Sequence, residues 1–439
     1  MVMFDDVLEI AKAALLEKFG EHVPETYIVR DTTGAIVVIL PDTSLRDDEW
    51  DPLAQKLHEN LEQYSPGLRR VLLKQSDLID ADDVIKSPDK VGALGMAGVY
   101  LIDRLVTNQD WLREPLTLTP PIPTAVAFSV KGGVGRSTAL AMFAWYLSRQ
   151  GKRVLVIDLD LEAPGIGSML SSELPKFGLI DWLTEDLNGR GDRALLEQCV
   201  SRCPIDMDTD GIISVIPAYG QSTNNYISKL GRVYMPAVDE AGEMVGLADR
   251  LARLLTVGAS LDFAPDVILL DARAGLHDIG SAAVTRLGAE ALFFARNDAQ
   301  NWWAYGQLFD HLRKAKSVQQ GMGNDDDLRW RLKMIGAQTE PREDARRAWV
   351  QASYDIWNRF YDDETAGRNG DFEPQVFDRF SAEAPHYPLF VNFDPAVRSL
   401  SLTSPNAKPD WAFIQGVFGE FFDGVRARLW PTSTENLQE

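Results

Sequence analysis

The sequence is poor in the residues that staple or metallate a fold. Of its 439 residues, two are cysteine and five are histidine. Cys199 and Cys203 lie one helical turn apart, with no histidine close in sequence. Neither a zinc site nor a disulfide framework is expected, and a reducing, cytoplasmic setting is the simple expectation. No apolar run reaches the ~18 residues of a membrane span. Met1–Asp5 turns acidic at once and shows no basic-then-apolar leader. Positive charge is also scarce, with 44 Lys and Arg against 65 Asp and Glu, a net charge of −21. An acidic body repels phosphate backbones and anionic lipid, so DNA and membrane are disfavoured as partners. What remains is ordinary for a globular chain of about two or three domains, with 45% hydrophobic and 25% charged residues.

Residues 1–112 read as a small α+β accessory domain without a chemical motif. Leu8, Ala11, Leu15 and Leu16 have helical spacing, and Gly20 ends that helix. Tyr27–Arg30 and Ala35–Leu40 read as strands of a hairpin around Asp31–Gly34. Asp51 and Pro52 open a helix carrying Leu53, Leu57 and Leu61. Leu68–Leu73 reads as a strand and the apolar Ala93–Leu112 as a helix. Residues 113–124 form a linker, because Pro115, Pro120, Pro121 and Pro123 can continue neither a helix nor a central strand.

The pattern then changes. Ala125–Val130 and Arg153–Ile157 are short apolar runs, as strands buried on both faces require, and a helical stretch from Ser137 to Gln150 lies between them. Strand, helix and strand make a βαβ unit, so residues 125–430 are expected to be an α/β, doubly wound, mostly parallel sheet. Further strands are expected at Ile212–Ile216, Val267–Leu270, Ala291–Ala295 and Leu332–Ile335. A helical insertion is expected at about 340–385, with Arg342–Tyr361 as its long helix. Trp411–Trp430 closes the domain, and 431–439 is a polar tail expected to be disordered.

The chemistry concentrates between the first two of these strands. Lys131-Gly132-Gly133-Val134-Gly135-Arg136-Ser137-Thr138 follows a buried strand and opens a helix, the setting a phosphate loop needs. Its glycines let backbone amides point inward, and the helix N-terminus adds positive potential. Ser137 can ligate Mg²⁺, and Thr138 can touch an inner phosphate. The ordinary motif has lysine where Arg136 stands, and arginine is bulkier, planar and forked. Either nucleotide binding persists with altered hydrolysis, or the site has lost its nucleotide. Asp158 and Asp160 end the second strand at i and i+2, so both face one side at the carboxyl edge. One can hold the metal's water shell while the other positions an attacking water. Val267–Leu270 followed by Asp271 fits a strand whose terminal acid accepts hydrogen bonds from metal-bound water. Arg273, two residues on, can act in catalysis or pair with a local acid.

These residues resemble the deviant Walker A loop of the ParA/MinD group of ATPases. Lys131 stands at the loop's start, Asp158–Asp160 matches the group's second acidic motif, and Asp271 its Walker B acid. Gly178–Leu183 and Val215–Ala218 resemble further segments of the group, and the resemblance runs from about Thr124 to Leu429. It implies ATP and Mg²⁺ as cofactors, a slow ATP hydrolase, and an ATP-dependent homodimer. Within that scheme Lys131 reaches the partner's nucleotide, Ser137 binds the metal and Asp160 orients the hydrolytic water. Asp158 and Asp271 support the metal, and Gln338 is a candidate for adenine. Members act on DNA, membrane or a cargo. The acid balance argues against the first. The mixed polar face of Trp411–Trp430 argues that this helix docks on the sheet and is no membrane anchor. A protein partner is the remaining expectation, within a bacterial multi-gene system of the defence type. The alternatives are a non-hydrolysing nucleotide-binding scaffold and a DNA or plasmid partition ATPase.

Overall fold

A computed structural model describes residues 1–431 except 88, 117, 205–209, 240, 241, 243, 315–326, 363–375, 401 and 404–408. Residues 432–439 of the expected disordered tail lie outside the described residues, as does part of the helical insertion expected at about 340–385. The chain divides into two compact units, Met1–Arg113 and Glu114–Glu439.

The first unit is a five-stranded sheet with helices Val7–Phe19 and Asp47–Leu61. Its strands are β1 (Thr26–Arg30), β2 (Ile36–Leu40), β3 (Leu72–Lys74), β4 (Lys90–Gly92) and β5 (Val99–Asp103), in the order β3-β2-β1-β5-β4. The β1–β2 hairpin forms as its alternation suggests, with Tyr27 opposite Ile39. The strand expected over Leu68–Leu73 is confined to Leu72–Lys74, and two further expectations fail here. The helix over Asp47–Leu61 starts a turn before Asp51, with Pro52 inside it. Its start is set by Glu49, whose carboxylate accepts the Arg46 N–H at 3.0 Å. The helix expected over Ala93–Leu112 is instead β5 followed by the short helix Gln109–Leu112. Leu94, Gly95 and Gly98 all have positive φ, which breaks a helix. Val99–Ile102 then pairs in parallel with β1, from Val99 opposite Thr26.

The second unit is built on an eight-stranded sheet ordered β15-β14-β13-β6-β12-β7-β9-β8. Its strands are β6 (Thr124–Ser129), β7 (Arg153–Asp158), β8 (Ser201–Arg202), β9 (Ile212–Ile216), β12 (Val267–Ala274), β13 (Glu290–Ala295), β14 (Leu332–Thr339) and β15 (Leu389–Asn392). A two-stranded ribbon, β10 (Ala237–Val238) with β11 (Met244–Val245), stands apart from it. Every pairing in the large sheet is parallel except β8 with β9. The expected doubly wound, mostly parallel α/β sheet is what the chain forms. The edge strand β15 is additional. It is a four-residue run after Pro388, too short to show a period.

Burial explains why the apolar runs became these strands. β6 is buried at every residue, and β12 from Val267 to Ala272. The helix Arg136–Ser148 is buried continuously from Ala139 to Ser148, so it needs a cover on both sides. The closing helix Trp411–Leu429 supplies one. Tyr146 stacks on Phe422 with centroids 4.7 Å apart, Trp145 meets Trp411 edge-on at 5.2 Å, and the Tyr146 hydroxyl donates to Asp423 at 2.8 Å. Ile414, Phe418, Phe421, Phe422, Val425 and Leu429 are all buried. The expected apolar face is therefore spent on the unit's own core. Among the described residues no helix is long and apolar enough to cross a membrane.

Topology positions the site. The chain leaves β6 through the helix Arg136–Ser148 to β7, and β12 later inserts between those two strands. Neighbouring β13 lies on the other side of β6, so connections diverge at the carboxyl end of β6, where open α/β sheets bind ligands. Register then sets Asp271 directly beside Asp158.

Away from that end, Lys333 of β14 is buried, and its ammonium donates to the carbonyls of Ala382 at 3.0 Å and Ala384 at 2.8 Å. Burial lowers its pKa to about 7. Between about 7 and the ordinary lysine value the unfolded chain binds a proton that the folded chain does not, so Lys333 costs stability as pH falls through that window. Urea unfolding of Lys333→Met and wild type should show the variant gaining on wild type as pH drops from 10 towards 7. A difference that does not change with pH would mean that Lys333 stays charged in the folded protein.

Candidate functional site

The loop after β6 has the shape its glycines permit. Gly133 and Gly135 hold φ of 76° and 87°, the left-handed region closed to most side chains. Gly135 caps the helix Arg136–Ser148 without a side-chain acceptor, so the first-turn amides meet no competing side chain from the cap. Lys131, Gly132 and Gly133 are exposed, Val134 is buried as the loop's anchor, and Ser137 and Thr138 are half-buried. Gln338 arrives from β14 with φ of 52°, and its Nε2 donates to the Gly133 carbonyl at 3.0 Å. The residue expected to meet adenine thus lies against the loop, where it fixes a carbonyl.

Arg136 turns into the unit. Its side chain is 8% exposed. Nε donates to Asp271 Oδ1 at 2.9 Å, Nη1 to Ser129 Oγ at 2.9 Å, and Nη2 to Asp160 Oδ2 at 3.4 Å. One guanidinium therefore ties the ends of β6 and β12 to the loop after β7. This uses the forked geometry that distinguishes arginine from lysine.

The three acids occupy different environments. Both carboxylate oxygens of Asp158 accept backbone amides, from Asp160 at 3.2 Å and Gly167 at 3.2 Å. Asp158 therefore anchors the chain that leaves β7. Burial, with Asp271 beside it, pushes its pKa up to about 8. Asp160 accepts the Ala163 N–H at 3.0 Å, and burial raises its pKa against the pull of that bond and of Arg136. Asp271 is fully buried, and its Oδ2 has no hydrogen-bond partner among the described residues. Asp160 and Asp271 share the Arg136 guanidinium, which offsets the cost of burying their charge.

A Mg²⁺ ion fits this arrangement in one respect. The orphaned Oδ2 of Asp271 is the kind of buried acceptor that a metal-bound water satisfies. No group of three or more His, Cys, Asp or Glu could hold a metal among the described residues.

Reasoning from sequence missed a second cluster. Arg273, left open between catalysis and pairing, forms an ion pair with Glu162 at 3.1 Å, and the Tyr234 hydroxyl donates to the same Glu162. The Tyr226 hydroxyl donates to the Leu161 carbonyl at 2.6 Å. The signal was available in outline, since Glu162 follows Asp160 as Arg273 follows Asp271, each by two residues. The segments Gly178–Leu183 and Val215–Ala218 also meet, with the Leu179 and Ile180 amides donating to the Pro217 and Ala218 carbonyls at 2.8 and 3.0 Å.

Comparison with known proteins agrees with this geometry. Residues 123–179 match the family model ParA, described as NUBPL iron-transfer P-loop NTPase. The loop, its helix, β7 with Asp158, and Asp160 just after it all fall inside that match, in keeping with the resemblance that the loop residues carry. The match ends before β12, so it does not reach Asp271, Arg273 or Gln338. None of the curated proteins matches the chain. Solved structures that align with it include a ParA family ATPase from Chlorobium tepidum TLS, at 18% identity over 71% of this chain and 99% of that one, TM-score 0.42. A plasmid partition protein from Borrelia burgdorferi B31 bound to AMPPNP aligns at 14% identity over 71% and 99%, TM-score 0.41. The pNOB8 ParA bound to nonspecific DNA aligns at 16% identity over 70% and 97%, TM-score 0.37.

The loop's conformation makes a direct prediction. In Gly135→Val, the left-handed φ strains a β-branched residue, and a Cβ at 3.6 Å from Gln338 Nε2 adds bulk where that amide braces the loop. Thermal or urea unfolding should show a loss of about 1–2 kcal/mol, with the helix content intact. Unchanged stability would place Gly135 in an ordinary conformation.

Proposed function

We propose that the chain is a Mg²⁺-dependent, slow ATPase whose nucleotide state switches a homodimer that controls a protein partner. One observation carries this reading: a glycine loop at a helix N-terminus lies where β6, β12 and β7 bring Asp271, Asp160 and Asp158 together. The amides of Gly132–Thr138 receive the triphosphate, with Ser137 and Asp271 beside the metal and Thr138 on an inner phosphate. Mg²⁺, when bound, neutralises phosphate charge. Asp160, steadied by the Ala163 amide, orients the attacking water. Lys131 is exposed at the loop's start, as a residue must be if it is to reach a nucleotide held by a second copy. A dimer closed over its nucleotide is a two-state element that hydrolysis can reverse.

A second reading has its own support. Arg136 spends its guanidinium on carboxylates, so a scaffold that binds nucleotide without turning it over also fits the site. The net charge of −21 argues against DNA for the chain as a whole and does not bear on a local basic patch. Salt-sensitive, ATP-dependent binding to arbitrary duplex DNA would restore the partition reading.

Phosphate release with ATP and Mg²⁺ separates these readings. The ATPase predicts slow turnover, reduced by about tenfold or more in Lys131→Ala and Asp160→Ala. Light scattering should show a dimer with ATP in Asp160→Ala. Tight ATP binding without release would favour the scaffold, and a monomer under every nucleotide condition would exclude the switch.

A further inference from the structure

Arg136 and the acids around it carry an inference beyond nucleotide binding. The loop's second base makes contacts that a phosphate-facing residue would not. Nε, Nη1 and Nη2 address Asp271, Ser129 and Asp160, and the side chain is 8% exposed. Asp271 is wholly buried and Asp160 nearly so. Asp158 brings no positive charge, and its own oxygens accept the Asp160 and Gly167 amides. The guanidinium is therefore the cation that makes this carboxylate pair tolerable in a dry setting.

We propose that Arg136 and a divalent cation compete for Asp271 and Asp160. On this view Arg136 is a positioning residue and a built-in counter-ion. It holds the two acids in place, and it must give up at least one of them when a metal is taken. A second cation placed beside those acids would be repelled by the guanidinium, whereas one that displaces it inherits a prepared pair of carboxylates. The released fork, still positive, is then free to face phosphate. Lysine at this position offers one point charge. It cannot span two carboxylates and a hydroxyl in one plane, so the competition is a property of arginine. The orphaned Oδ2 of Asp271 marks where the metal's water shell would meet the acid. The idea rests on the proposed function for the identity of the metal site, but its test does not use turnover.

The probe is Mg²⁺ alone, without nucleotide, read by thermal unfolding of the full chain. Wild type should show no shift in Tm, because Arg136 already occupies the acids. Arg136→Gln is shorter but keeps a planar hydrogen-bonding group, and it removes the charge. It should melt lower than wild type without metal and rise by about 2 °C or more with millimolar Mg²⁺. Arg136→Gln combined with Asp271→Asn should lose that rise. Equal Mg²⁺ responses in wild type and Arg136→Gln would overturn the competition. If Arg136→Gln fails to fold, Arg136→Lys replaces it. A Mg²⁺-dependent rise larger than that of wild type supports the proposal, and a response matching wild type overturns it. Calorimetry of wild type with ATP and Mg²⁺ reads the proposed function separately. Heat from ATP together with a flat Arg136→Gln response would defeat this inference and leave nucleotide binding standing.

Discussion

A guanidinium locked between two buried carboxylates is the interaction on which the candidate site depends. Asp271 is fully buried near the carboxyl end of the central strand β12, and Asp160 follows the neighbouring strand β7. Two acids so placed need a cation, and the chain provides one from the loop between them. Removing one partner of such a buried pair leaves a bare charge, a loss of about 3–5 kcal/mol. The same network couples β6 through Ser129, β12 through Asp271 and the loop after β7 through Asp160. The three elements that would hold a nucleotide are therefore joined by one side chain.

Around this point the fold supplies rigidity in layers. The sheet fixes the register of the acids, and the helix behind the loop is clamped by aromatic packing against the closing helix. Gln338 braces the loop from the side, through its bond to Gly133. Glu162, Arg273 and Tyr234 link the loop after β7, the end of β12 and the segment after residue 226. The flanks of the site are thus held by polar bonds that can break and re-form, while its floor is held by packing that cannot. That division suits a site whose loops respond to a ligand on a fixed base.

Much of this was legible because the signals were local and strong. Apolar runs at Ala125–Val130 and Arg153–Ile157 could only be buried strands, and the glycines between them fixed the loop. The closing helix was readable from the spacing of Trp411, Ile414, Phe418 and Phe421. What failed depended on distant partners. Ala93–Leu112 read as helical because its apolar content is high, yet Val99–Ile102 finds its pairing partner in β1, far away in sequence. β15 is too short to announce itself. At the site the kinds of residue were legible but not their directions. Arg136 was legible as the loop's second base, but not as the partner of Asp271 on β12 and of Asp160 after β7. Glu162 and Arg273 were legible only in outline as a pair, since one lies in the loop after β7 and the other near the end of β12.

The claim beneath the whole account is that the glycine loop receives a triphosphate on its amides beside Asp271. A crystal structure of the chain grown with a non-hydrolysable ATP analogue and Mg²⁺ tests it most directly. The account predicts the β- and γ-phosphates on the amides of residues 133–138, with the metal between Ser137 and the water facing Asp271. An analogue bound elsewhere, or a loop that stays bare at saturating ligand while Arg136 keeps both carboxylates, would contradict it.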